Sequence, residues 1–314
     1  MTPTPVDDAT LALLLEVAGT PKPGNVDRRR DLDDLRFEAF LGGAVGAREG
    51  LKLAADGETE IGRAFERGVA GMAARAGTNT QFGCLLLLVP LVRATVGGEG
   101  SDDGLSPANV DRVARETTVD DAVAFYRAFE HVDVAVGDPP ADAADLDVRR
   151  GSDAAPALRE RSATLRDVMA LSADPSKPRI PDRNAQEWVE GFPRTFRAAE
   201  WIRSDEGPLT DRAARAFLGL LATEPDTLVA ATHGPEAARE ASERAAAVLG
   251  GAGGGSGAHA DAVHDADAVH DADLDAAEDL AAAFVDEGIN PGTTADLTCA
   301  ALYVALRRGA EVGP

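Results

Sequence analysis

Lysine is almost missing from this chain. Of 31 basic residues only Lys22, Lys52 and Lys177 are lysine, against 54 acidic residues and a formal net charge of −23. A chain this acidic offers no basic face to a phosphate backbone, which excludes a general nucleic-acid binder. Aromatic residues are scarce, at 4%. With alanine and leucine abundant, that scarcity points to helices rather than a β-sandwich. Cysteine occurs only at Cys84 and Cys299, each inside an apolar run, which excludes a disulfide framework and a cysteine metal site. The longest apolar run, Cys84–Val92, is far short of the ~20 residues that span a bilayer. The N-terminus shows no basic-then-apolar leader. The expectation is a soluble cytoplasmic protein without a membrane partner. The acidic, lysine-poor, alanine-rich balance further points to a high-salt cytosol, where screening tolerates self-repulsion.

Several signatures are also lacking. No GxxxxGK[ST] and no GxGxxG after a strand occurs, so a P-loop or Rossmann enzyme has no support. There is no GxSxG elbow and no HExxH. No segment alternates as a strand does.

What is present is helical spacing. Of the 314 residues 44% are hydrophobic, ample for a core. The pattern predicts helices ending near Ala18, with Asp7 or Asp8 as cap, and then over Leu35–Ala55, Ile61–Ala76 and Gln81–Val96. The last of these is apolar nearly all round and is bent by Pro90. Further helices are expected over Pro107–Glu116, Asp120–Glu130, Leu158–Leu171, Asn184–Ile202 with a break at Gly191, Asp211–Thr223, Pro235–Leu249, Leu274–Glu287 and Ala295–Arg308. Residues 136–156 read as an irregular surface excursion. Residues 250–273 read as a flexible low-complexity insert, with a Gly-rich start and Ala-Val-His-Asp-Ala-Asp twice. The expected architecture is all-α: a single-domain multi-helix bundle over 1–314, with functional loops at helix ends.

Four loops carry small polar residues with Gly or Pro just before a helix: residues 20–28, 77–83, 224–228 with His233 and Gly234 following, and 290–296. Helix N-termini rich in Thr, Asn and Gly offer backbone N–H groups to an anion. The first loop holds Lys22 between two prolines, with Glu16 upstream and Asp27 and Arg28 downstream. A stiff loop carrying a cation between carboxylates suits an anionic, metal-bound substrate. In a chain that prefers arginine, this lysine marks a place for a compact ammonium.

The order and spelling of these loops resemble the triphosphoribosyl-dephospho-CoA synthase family. That family shows a Glu before TPKPGxVDR, then GxNTHKG, a small-aromatic SGY/F step, DTN followed by RGG, and a closing SPGGSADL. Here the corresponding stretches are Glu16 with Thr20–Arg28, Thr78–Gly83, Glu190–Phe192, Asp226–Leu228 and Asn290–Leu297. Gln81 and Phe82 replace the family's His-Lys. Thr232, His233 and Gly234 stand for its Arg-Gly-Gly. Asp31, Asp33 and Asp34 stand without its histidine.

The resemblance implies a transferase using ATP and 3′-dephospho-CoA. The 2′-hydroxyl of the CoA ribose attacks C1 of the ATP ribose, and adenine leaves. It implies Lys22, Gly24 and Arg28 for phosphate, and Asn79 and Thr80 for ribose or phosphate. Asn290 and Gly292 form a wall. Glu16, Asp27, Asp226 and Asp296 supply both Mg²⁺ ligands and the acid/base pair, with the roles of the four left open. Two other readings stand beside it: a related nucleotide-dependent ribosyl transfer to another acceptor, and a helical nucleotide-binding module without turnover.

Overall fold

The computed structural model describes residues 3–97, 104–139, 141–176, 180–250 and 266–313. Lys177 and residues 251–265 of the expected low-complexity insert lie outside the described residues. Every regular element among the described residues is a helix and none is a strand, as the scarcity of aromatics and the helical spacing predict. The chain divides into two compact units: Met1–Leu13 with Glu38–Pro193, and Leu14–Phe37 with Arg194–Pro314.

The chain opens on helix α1 (Pro5–Ala18). Its cap is Thr4, whose hydroxyl accepts from the Asp7 N–H at 3.2 Å, while Asp7 accepts from the Thr4 N–H and hydroxyl. The acid expected as the cap is thus the reciprocal partner of a capping box. In the first unit α2 (Phe37–Asp56) lies against α3 (Ile61–Ala76) at glycines. A Cβ on Gly46 would sit 2.1 Å from the Gly71 carbonyl oxygen, and one on Gly50 would sit 2.4 Å from the Gly68 nitrogen. Backbones this close admit no side chain between them.

Helix α4 (Phe82–Val96) is buried nearly all round and runs through Pro90. Phe82 on its first turn meets Phe65 at 5.0 Å and Phe129 at 4.8 Å, edge to face, the arrangement ring quadrupoles favour. Arg93 near its end donates to the Ala54 carbonyl at 2.8 Å, satisfying an orphan acceptor at the end of α2. Helices α5 (Pro107–Arg115) and α6 (Val119–Ala128) follow. Asp121 closes the capping box of α6 and also accepts the Gly62 N–H at 2.7 Å, which ties the starts of α3 and α6 together.

Within the expected excursion over 136–156 lie two 3₁₀ segments, Ala141–Leu146 and Val148–Ala154. The single helix expected over Leu158–Leu171 is two, α7 (Ala155–Arg161) and α8 (Leu165–Ala173). Ser162 adopts φ 52 and Thr164 caps α8 in a box with Asp167, so local polar chemistry breaks a continuous apolar pattern. Helix α9 (Arg183–Glu190) places the Trp188 indole N–H on the Leu86 carbonyl at 3.2 Å.

The second unit holds the end of α1, the loop to residue 37, and α10 (Pro193–Ser204), α11 (Leu209–Thr223), α12 (Thr227–His233), α13 (Pro235–Gly250), α14 (Ala266–His270), α15 (Leu274–Glu287) and α16 (Gly292–Arg307). Helix α16 is buried along most of its length and packs on α11. The sequence pattern had not marked α12, and it placed the start of α16 at Ala295, three residues late. Both differences fall at the loops that build the site.

Candidate active site

The proline-flanked loop is braced from within. Lys22 is only 1% exposed, and its ammonium pairs with the Glu16 carboxylate and donates to Asn25 Oδ1 at 3.0 Å. Burial raises the Glu16 carboxyl above its ordinary value, and the Lys22 charge opposes that shift. Asp27 is fully buried. It accepts from the Thr20 hydroxyl at 2.8 Å, the Arg29 and Arg30 N–H groups at 2.8 and 3.0 Å, the Arg30 guanidinium at 2.8 Å and the Lys22 N–H at 3.3 Å. The other end of the Arg30 guanidinium pairs with Glu278 on α15.

Gly24 seats this loop on the segment before α16. It adopts φ +70, and a Cβ there would lie 1.8 Å from the Ile289 carbonyl oxygen. Both the conformation and the contact require glycine. One residue on, Asn25 Nδ2 donates to Asn290 Oδ1 at 2.9 Å.

Asp226 fastens the third loop to the fourth. It caps α12 by accepting the Leu228 and Val229 N–H groups at 2.9 and 3.1 Å. Its other oxygen accepts the Thr294 N–H and hydroxyl, both at 2.7 Å. Thr227 and Thr293 hydroxyls bond at 2.9 Å. Burial raises the Asp226 carboxyl above its ordinary value, and the Thr294 bonds oppose this. Gly292 lies against Leu228, which a Cβ would meet at 2.6 Å.

Three of the four loops therefore interlock in the second unit and bring Glu16, Lys22, Gly24, Asp27, Asp226, Asn290 and Gly292 together. Arg28, in the same unit, is exposed and carries no hydrogen bond or ion pair among the described residues. Asp296 is half-buried on α16, two residues past Thr294. Asn79 and Thr80 lie in the first unit. Asn79 Oδ1 accepts the Phe82 N–H at 3.2 Å at the start of α4. Gln81 donates its amide to the Leu13 carbonyl at 3.3 Å, while its Oε1 and the Thr80 hydroxyl are buried beside Gly43 without a partner among the described residues.

The four acids do not fit the expected metal set. No group of three or more His, Cys, Asp or Glu among the described residues is gathered to hold a metal ion. The oxygens of Asp27 and Asp226 already accept five and four hydrogen bonds, leaving little for a cation that demands octahedral oxygen ligands. Sequence reasoning missed Asn25, Thr294, Arg30 and Glu278. The first three stand in or beside the quoted loops. Nothing in the sequence ties Glu278 to residue 30.

No helix among the described residues is long and apolar enough to cross a membrane. Residues 4–312 match a family described as ATP:dephospho-CoA triphosphoribosyl transferase. No curated protein matches. Among solved structures, a crystal structure assigned to a triphosphoribosyl-dephospho-CoA synthase of Archaeoglobus fulgidus is similar, with a TM-score of 0.62 and 23% identity, covering 86% of this chain and 99% of that one. At that identity the likeness shows the shared fold.

Proposed function

The chain belongs to the ATP:dephospho-CoA triphosphoribosyl transferase family, and from that premise we propose that it moves the triphosphoribosyl group of ATP onto 3′-dephospho-CoA. The acceptor 2′-oxygen forms a bond to C1′ of the ATP ribose as the C1′–N9 bond breaks. The electron pair of that bond leaves with adenine, which takes up a proton, and the attacking hydroxyl loses one. The triphosphate stays on the product.

Such a centre needs a carboxylate near the oxocarbenium-like carbon and cations at the triphosphate. The observation that carries the phosphate assignment is that the Lys22 ammonium is buried and engaged, whereas Arg28 is exposed and carries no hydrogen bond or ion pair among the described residues. Glu16, Asp27 and Asp226 are engaged in holding the loops, so their role in this reading is bracing rather than proton transfer. Asp296, in the closing motif and half-buried on α16, is kept as a candidate carboxylate for the reacting centre on the family resemblance of that motif. Lys22, expected to meet phosphate directly, has its ammonium engaged by Glu16 and Asn25. The cationic contact to phosphate is therefore assigned to Arg28, whose guanidinium is exposed and unengaged among the described residues. Mg²⁺ is expected as the counter-ion of the triphosphate, a common way for this ion to enter nucleotide sites.

The test is incubation with ATP, Mg²⁺ and 3′-dephospho-CoA at high salt, with adenine followed by chromatography. Adenine release that depends on dephospho-CoA is the expected result. Release only with another acceptor replaces the substrate, and ATP binding with no release under any acceptor leaves a binding module. Arg28→Ala should raise the KM for ATP about tenfold, the scale of one lost charged contact. An unchanged KM sinks the phosphate assignment.

A further inference from the structure

A buried ion pair is weak evidence for stability, because desolvation offsets much of its attraction. The Glu16–Lys22 pair therefore calls for another use, and its hydrogen bonds supply one. Lys22 Nζ donates to Asn25 Oδ1 at 3.0 Å, and Asn25 Nδ2 donates to Asn290 Oδ1 at 2.9 Å. The two ends of a carboxamide are nearly alike in shape, so its orientation is read from its partners. An ammonium can only donate. It fixes the oxygen of Asn25 toward itself and the NH₂ of Asn25 toward Asn290. The oxygen of Asn290 must then face Asn25, and its NH₂ is left over.

That NH₂ makes no hydrogen bond among the described residues, and Asn290 is half-buried just before α16, where Lys22, Glu16 and Asn25 are buried. Three buried polar side chains thus orient one amide that reaches toward solvent. The positive end of the α16 dipole lies at the same place and favours the same kind of ligand atom.

We propose that Lys22 and Asn25 are positioning residues that set the polarity of the Asn290 carboxamide, so that it presents an N–H donor to a phosphate oxygen of the bound nucleotide. The choice of ATP as that nucleotide rests on the transferase reading, so the test measures ATP binding without dephospho-CoA.

Equilibrium dialysis of ATP is run on the full chain with three replacements of Asn290, each checked for unchanged helical circular dichroism. Asn290→Ala removes the donor and should weaken ATP about tenfold. Asn290→Asp still accepts from Asn25 but turns a carboxylate outward, and should weaken it further. Asn290→Ser accepts from Asn25 and donates its own hydroxyl proton outward, and should recover most of the loss seen with alanine. A merely structural role would not place serine best and aspartate worst. Asn25→Asp should invert the Asn290 amide and weaken ATP as Asn290→Ala does, with the two together no worse than either alone.

Equal effects of the three replacements overturn the proposal, and so does full additivity of the Asn25 and Asn290 changes. If Asn25→Asp does not fold, the Asn290 order alone decides. Absence of adenine release by the unmodified protein, with ATP binding ordered as stated, sinks the reaction and leaves this assignment standing. Absence of ATP binding sinks both.

Discussion

At the scale of single residues, the site is held by acids whose oxygens are taken up by hydrogen bonds, five at Asp27 and four at Asp226, and Asp226 tests this most cleanly. An asparagine there keeps one acceptor oxygen and turns an NH₂ toward N–H and O–H donors. The loss of a cap and of the bonds to Thr294 should cost about 2–4 kcal/mol. Asp226→Asn should therefore lower the melting temperature by roughly 3–6 °C. The pH dependence has a defined sign. Burial holds the Asp226 carboxyl above its ordinary value of 3.8. A group raised on folding contributes stability that is fully present below its unfolded value and fades as pH rises through its folded value. Asparagine does not titrate. The gap in melting temperature between the unmodified chain and Asp226→Asn should be widest on the acid side and narrow as pH rises, and a gap that widens with pH contradicts the assignment. Asp226 was legible as a candidate because it opens a recognisable loop. Its bracing role was not, because that depends on Thr294, 68 residues away. Lys22 shows the same limit: the pattern marks the residue, while its burial is a tertiary fact.

At the scale of elements, apolar spacing was enough to place most helices, because a stripe at i, i+3 and i+4 has one way to be buried. It failed where local polar chemistry decides, at the Ser162–Thr164 break and at the seven residues of α12. It also gave no weight to the glycines of α2, which lower helix propensity taken singly but set the distance to α3. Two substitutions in that helix separate these effects. A Cβ on Gly42 would stand 3.5 Å from the Arg75 carbonyl oxygen, an ordinary contact. Gly42→Ala should stabilise by up to about 1 kcal/mol through helix propensity. A Cβ on Gly46 would stand 2.1 Å from backbone oxygen. Gly46→Ala should destabilise by roughly 2–3 kcal/mol, as overpacking against a backbone that cannot yield does. Denaturant midpoints of the two variants decide it, and a shift in the same direction for both would mean that α2 and α3 do not meet at these glycines.

At the scale of the whole molecule, the net charge of −23 sets two effects of salt against each other. Many of the described ion pairs are exposed arginine–carboxylate contacts, such as Arg112–Glu116 and Arg239–Glu236. Pairs of this kind contribute about 0–1 kcal/mol each and weaken as salt is added. Against them stands the repulsion among carboxylates that no cation balances. Two like charges ~10 Å apart repel by only about 0.4 kcal/mol in water, but every uncompensated charge repels every other within a Debye length, so the terms accumulate. Repulsion grows with the number of charge pairs, whereas the attractive contacts grow only with the number of arginines. Repulsion therefore wins at low ionic strength. The melting temperature should therefore rise with potassium chloride up to about 1 M, where a ~3 Å Debye length leaves only contacting charges unscreened. Glycerol or sucrose at matched osmolality, which do not screen, should not reproduce the low-salt part of that rise. A melting temperature that stays flat or falls as potassium chloride is added would mean that the exposed ion pairs, not the unbalanced carboxylates, dominate.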